Sequence, residues 1–134
     1  MKRYVALFHQ AETGGYGVSI PDFPGFISAG GRFDAALDSA VKGLQFHVEG
    51  MIADGEAIPD PRDLIDLKAD PEFEDDFADA IVTLIPLLPP RSEPVRVNIS
   101  LEGGLVAAID AAAKTRGMTR SGFLADAARR ALAG

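Results

Sequence analysis

The spacing of apolar side chains changes several times along the chain, and each change predicts a different element. Tyr4 to Phe8 and Tyr16 to Ile20 are short β-prone runs on either side of Glu12-Thr13-Gly14-Gly15, which reads as a hairpin. Pro21-Asp22-Phe23-Pro24-Gly25 is a turn, and Phe26 to Ala29 is a third strand that stops at Gly30-Gly31. The period then becomes helical: Leu37, Ala40, Val41, Leu44, Val48, Met51 and Ile52 recur at offsets of three, four and seven, with Asp38, Lys42, Gln45 and Glu49 opposite. Asp34 suits the positive end of that helix dipole, and Gly55 marks the helix end. Pro59, Pro61, Asp63 and Asp66 mark a loop or short turn. Asp70 to Asp79 is acidic, with at most one helical turn, and Ala80 to Ile85 is a buried strand. The order β-β-β-α-β implies an α+β layout, a sheet of about four strands with one main helix on a face.

Beyond Pro94 the pattern is strict. Val95, Val97, Ile99 and Leu101 alternate with Arg96, Asn98 and Ser100, a strand with one apolar and one polar face. Gly103-Gly104 leads into a helix from Leu105 to about Arg116, with an inward stripe of Leu105, Ala108, Ile109 and Ala112, stopped by Gly117. Thr119 is the N-cap of a second helix, with Met118 and Phe123 as its hydrophobic staple. Phe123, Leu124, Ala127, Ala128, Ala131 and Leu132 are its expected buried face. One strand and two helices in about 40 residues cannot close a core, so the missing element is expected to be a second copy of the chain.

Charge divides the chain at the same place. The 134 residues carry a formal net charge of −7, but residues 1–94 hold −10 and residues 95–134 hold +3. Leu87 to Pro94, LLPPRSEP, has three prolines between the two and reads as a linker. The expected domains are 1–88 and 95–134, joined by 89–94, with different partners for the two modules.

Composition mainly excludes. There is no cysteine, hence no disulfide, thiol nucleophile or Cys-based metal site, and two distant histidines make a metal cage improbable, so no cofactor is expected. The N-terminus lacks the pattern of a signal peptide and no apolar run approaches the length of a membrane span, so a cytoplasmic location is expected. The predicted strands Tyr4 to Phe8, Tyr16 to Ile20 and Ala80 to Ile85 contain no Asp or Glu, whereas a two-metal nuclease needs converging carboxylates. His9 and His47 read as structural, and no Ser, His and Asp are grouped as a triad. The protein is therefore not expected to be an enzyme.

PDFPG, followed by GGRFDAALDSAVKGL and IPDP, resembles the N-terminal domain of HicB-type antitoxins over residues 1 to about 67. Two departures stand out: Phe26 where the family often has Cys, and Arg32 where a Ser or Thr helix cap is usual. RVNIS, the glycine turn and GMTRSGFLADAARRAL resemble the ribbon-helix-helix DNA-binding dimers. The first resemblance implies a truncated ribonuclease H fold that binds and masks a HicA-type toxin, an RNA-cleaving protein. Tyr16, Asp22, Phe23 and Phe26, read as exposed near the family turn, are the expected toxin contacts. The second implies a homodimer, able to assemble further, that represses its own operon. Arg96, Asn98 and Ser100 would read base edges in the operator, while Thr119, Arg120 and Ser121 would offer a helix N-terminus to phosphate. The alternative function is a stand-alone repressor with an N-terminal domain that senses a small ligand.

Overall fold

The computed structural model describes residues 1–133, which divide into two compact units, Met1–Arg91 and Ser92–Gly134. The first unit contains β1 (Arg3–Gln10), β2 (Tyr16–Ser19), β3 (Ile27–Gly30), α1 (Phe33–Ala53), α2 (Leu64–Ala69), a 3₁₀ turn (Pro71–Phe73), α3 (Glu74–Phe77) and β4 (Ile81–Pro86). Its strands form one antiparallel sheet in the order β3-β2-β1-β4.

Turn chemistry fixes the connections. Gly14 and Gly15 both adopt positive φ in the β1–β2 turn, closed by bonds of 3.0 Å from Ala11 N to Gly15 O and from Gly14 N to Ala11 O. In Phe23-Pro24-Gly25-Phe26 the Phe26 amide donates to Phe23 O at 3.0 Å. Pro24 holds the first central position, and Gly25, at φ +86°, holds the position that requires a left-handed residue.

β1 lies between two strands and is buried on both faces, which explains why its sequence is a continuous apolar run. Tyr4, Ala6 and Phe8 pack with Val18, Phe23, Phe26 and the buried stripe of α1, Ala36, Ala40, Leu44 and Val48. Ile52, expected in that stripe, is instead exposed. No side chain caps α1 at Arg32; Asp34 Oδ1 accepts from Ala35 N at 2.9 Å.

On the other face of the sheet Val5 and Leu7 pack with Leu67, Leu64, Phe73 and Phe77. The sheet is thus covered on both faces, whereas the sequence reading covered one, and the stretch read as a loop with at most one helical turn holds α2, the 3₁₀ turn and α3. Asp63, read as a loop residue, and Asp70, read as the start of the acidic segment, cap these pieces by accepting from Ile65 N at 3.1 Å and Glu72 N at 3.0 Å. β4 also departs from expectation. It is an edge strand, so Ile81 and Leu84 are exposed while Ile85 and Pro86 are buried.

The linker begins later than expected. Leu88 is buried, Gln45 donates to Pro89 O at 2.6 Å, and the Arg91 amide and guanidinium donate to Glu49 Oε1 at 2.9 and 3.2 Å. These bonds to Arg91 hold the Glu49 carboxyl below its ordinary pKa.

The second unit contains α4 (Gly103–Thr115) and α5 (Arg120–Ala133). Residues 95–101, expected as a strand, form none in the single chain: a strand needs a ladder partner, and among the described residues of this unit the regular elements are helices. The expected inward faces are only partly covered: Ile109 is buried and Ala112, Phe123 and Leu124 are half-buried. Among the described residues of this unit only Ile109 and Ala113 are buried, whereas Leu105 and Leu132 are exposed. Ala127, Ala128 and Ala131 are exposed as well.

Candidate functional site

The chain between α4 and α5 makes a sharp turn that orients the start of α5. Met118 N donates to Ala113 O at 2.8 Å and Gly117 N to Lys114 O at 3.1 Å, with Gly117 at φ +64°. This double closure around a left-handed glycine is the Schellman arrangement. Thr119 Oγ1 then caps α5 by accepting from Gly122 N at 3.0 Å.

Five of the six residues read as DNA contacts come together: Arg96, Asn98, Ser100, Arg120 and Ser121 line one open hollow of about 1230 Å³ within the second unit. Thr119 is not among its lining residues; its oxygen is engaged as the cap. The Arg120 guanidinium makes a two-pronged pair with Asp110 of α4, Nε to Oδ1 at 2.8 Å and Nη2 to Oδ2 at 2.7 Å. That pairing holds the Asp110 carboxyl below its ordinary pKa. Asp110, which the sequence reading left out, therefore orients the guanidinium and offsets its charge. The alternating apolar residues of the same segment are open, Val95 82%, Val97 71% and Ile99 62% exposed.

The four residues expected as toxin contacts are less exposed than that reading took them to be, and the aromatics fall to its alternative, the core. Phe23 and Phe26 belong to the core, and Tyr16 is half-buried, edge-on to Phe33 with ring centres 5.5 Å apart. Asp22 is buried: its side chain is 3% exposed and pairs with Arg62, which is 44% exposed, at 2.7 Å. Its second oxygen accepts from the Arg62 amide at 3.1 Å. The buried carboxylate thus trades water for two protein donors and ties the turn before β3 to the chain entering α2. Arg62 also stacks over Phe73, 5.3 Å from the ring centre.

Both histidines have structural surroundings. His9 Nε2 donates to the Asp76 carbonyl at 2.7 Å, and His47 meets Phe23 and Phe26 edge-on at 6.0 and 5.7 Å. Around His47 lies an open groove of about 890 Å³, between the Phe23–Phe26 turn and the C-terminal half of α1. Ile27 and Phe46 stand on it 82% and 70% exposed. The sequence reading missed Phe46. Its signal is an aromatic off the helix's apolar stripe, on a face otherwise carrying Lys42, Gln45 and Glu49.

Fold and charge together define an acidic α+β unit followed by a small basic unit of two helices with an uncovered apolar segment. Residues 4–128 match the family described as HicB_like antitoxin of bacterial toxin-antitoxin system, and the chain belongs to that family. An uncharacterized 14.9 kDa protein in the rep-hol intergenic region of Haemophilus phage HP1 is 32% identical over 96 residues, 72% of this chain and 71% of that protein. The crystal structure of the Burkholderia pseudomallei antitoxin HicB superposes with a TM-score of 0.59 at 34% identity, covering 98% of this chain and 99% of that one. A toxin-antitoxin complex from Streptococcus pneumoniae contains a chain of similar fold, with a TM-score of 0.51 and 22% identity over 93% of this chain and 95% of that one.

Proposed function

We propose that this antitoxin works through two separable surfaces: its first unit, of truncated ribonuclease H type, binds and masks a HicA-type RNA-cleaving toxin, and its second unit pairs with a second copy to form a ribbon-helix-helix dimer that represses its own operon. The observation that carries this reading is in the second unit. The segment whose apolar face lies open to water is the segment whose polar face holds Arg96, Asn98 and Ser100 beside the start of α5. A second copy pairing antiparallel along residues 95–101 supplies the missing ladder partner and covers Val95, Val97 and Ile99. The polar face is then left free, and a two-stranded ribbon fits the major groove. Arg can donate two bonds to guanine, Asn pairs with adenine, and the first amides of α5 suit a phosphate. Membership of a toxin-antitoxin family supports the toxin half of the reading, as does the acidity of the first unit. An RNA-cleaving protein must present cations to hold phosphates, and complementary charge speeds encounter.

The test is the double variant Arg96→Ala/Asn98→Ala. Each good bidentate contact contributes about 1–3 kcal/mol of discrimination, and two-fold symmetry doubles the number lost. Gel shifts at fixed salt on the DNA upstream of the gene are expected to fall to the non-specific level, while growth rescue from the toxin persists. Unchanged operator affinity in a dimeric double variant would falsify the assignment.

A further inference from the structure

Resting on the toxin-binding reading, we propose that the toxin docks in the groove beside His47, through a segment that combines an apolar side chain with Lys or Arg. Three observations converge there. Ile27 and Phe46 are two of the three most exposed large apolar residues of the first unit, the third being Ile65 on α2, and both stand on this groove with Met51 between the helix stripe and solvent. Isolated exposed apolar residues are ordinary, but an aromatic and a branched aliphatic side chain sharing a concave surface form an anchor site of the kind that dominates protein interfaces. The groove is also acidic: Asp22, Asp54 and Glu56 line it, and no Lys or Arg does. Asp22 is already neutralised by Arg62, which leaves Asp54 and Glu56, both exposed, as the free charges.

This combination selects the occupant. Nucleic acid is repelled by the two free carboxylates. A second copy would bring the first unit's own excess of acid, 16 acidic against 7 basic residues over 1–91, toward the same acidic groove. A protein whose work is to hold RNA carries the opposite charge, and a groove that captures its cationic face occupies the surface that would otherwise meet RNA phosphates. The floor is preorganised, with the Phe26 ring packed against α1 at Gly43, 3.4 Å from where a Cβ would stand. Binding there would not have to order a loop first.

Phe46→Asp in the full chain, titrated calorimetrically with the HicA-type toxin encoded beside the gene, is expected to bind roughly 30-fold or more weakly than wild type, the size of an interface hot spot. Ile65→Asp, at an exposed apolar position on α2 outside the groove, is expected to bind as wild type. Should Phe46→Asp lower the melting temperature, Asp54→Lys/Glu56→Lys supplies the test without touching the apolar wall. That variant is expected to bind more weakly and with a flatter salt dependence. Wild-type affinity in both groove variants overturns the groove while leaving the antitoxin reading intact. So does a Phe46→Asp effect confined to self-association of the chain. Absence of binding by the wild-type chain overturns the reading on which the groove rests.

Discussion

The two units solve the problem of a small core in opposite ways. The first covers both faces of its sheet, with α1 on one side and the α2, 3₁₀ and α3 pieces on the other, and closes two apolar clusters from its own residues. It even buries a carboxylate, Asp22, by giving it Arg62. The second buries only Ile109 and Ala113 among its described residues and leaves Val95, Val97, Ile99 and Leu101 facing solvent. Its ion pair between the helices, Asp110 with Arg120, is exposed on both sides. Burial in the first unit is intramolecular, so its two clusters close without a second chain even though Ile27, Phe46, Ile65, Ile81 and Leu84 stay exposed. In the second, most of the apolar surface that could stabilise the helices is still in water, and the proposed pairing with a second copy is what would cover it.

The largest expected effect breaks that comparison by dilution. Separate fragments covering residues 1–91 and 92–134, followed by circular dichroism and sedimentation from high to low micromolar concentration, should part company. The first is expected to keep its signal throughout, and the second to lose its helices as it dissociates, since about 40 residues seldom sustain a core unaided. A helical monomer of 92–134 at low concentration would mean that the open segment is not an assembly surface.

A smaller effect probes the two ion pairs. Asp22→Ala removes a buried acceptor of two bonds, one from a charged group, and opens space beneath the turn before β3. Bonds to charged groups contribute about 1.5–3 kcal/mol, and because the Arg62 side chain is 44% exposed and can return to water, the expected loss is nearer the lower end, about 1–2 kcal/mol. Urea unfolding of the first unit measures it. A loss below a few tenths of a kcal/mol would place Asp22 among ordinary surface acids.

The same contrast explains what could be seen in the sequence. The α1 stripe, the hairpin glycines, the Gly117 stop and the Thr119 cap are local: each depends on residues within a turn or two of one another, and, Ile52 of the stripe apart, each is where the spacing put it. The alternation over 95–101 is equally local, but a strand needs a hydrogen-bonding partner, and the described residues of its unit offer it none. Misreadings concern distance. Asp22 looked like a surface acid because its partner lies 40 residues on. Strand order places β4 at an edge, and an apolar run such as IVTLIP carries no signature of order. Leu64, Leu67, Phe73 and Phe77 form the second covering layer, yet they are scattered among prolines and carboxylates that resemble loop residues until Asp63 and Asp70 are seen as helix caps. For the proposed site, alternation is what put Arg96, Asn98 and Ser100 on one expected face, and the structure has them lining one hollow with Arg120 and Ser121. Asp110 could not be found this way, because α4 and α5 meet only after the Gly117 turn is built.

The smallest expected effect is a pH dependence in the exposed pair. Hydrogen bonds from Arg120 hold the Asp110 carboxyl below its ordinary value, so the folded state binds that proton less readily than the unfolded chain. Stability from this pair is therefore present above the ordinary aspartate pKa, about 4, and is lost as pH falls through the lower folded value. Asp110→Asn keeps the shape and removes the charge, so the variant should melt slightly below wild type near pH 6, with the gap closing as the pH falls below the ordinary aspartate value and wild type itself takes up the proton. High salt should narrow the gap at neutral pH, because both partners are solvent-exposed. Thermal melts of the full chain at several pH values and a fixed concentration isolate the term from assembly. A gap of constant size from pH 6 to 2 would assign the difference to packing between α4 and α5 and remove the ion pair as its cause.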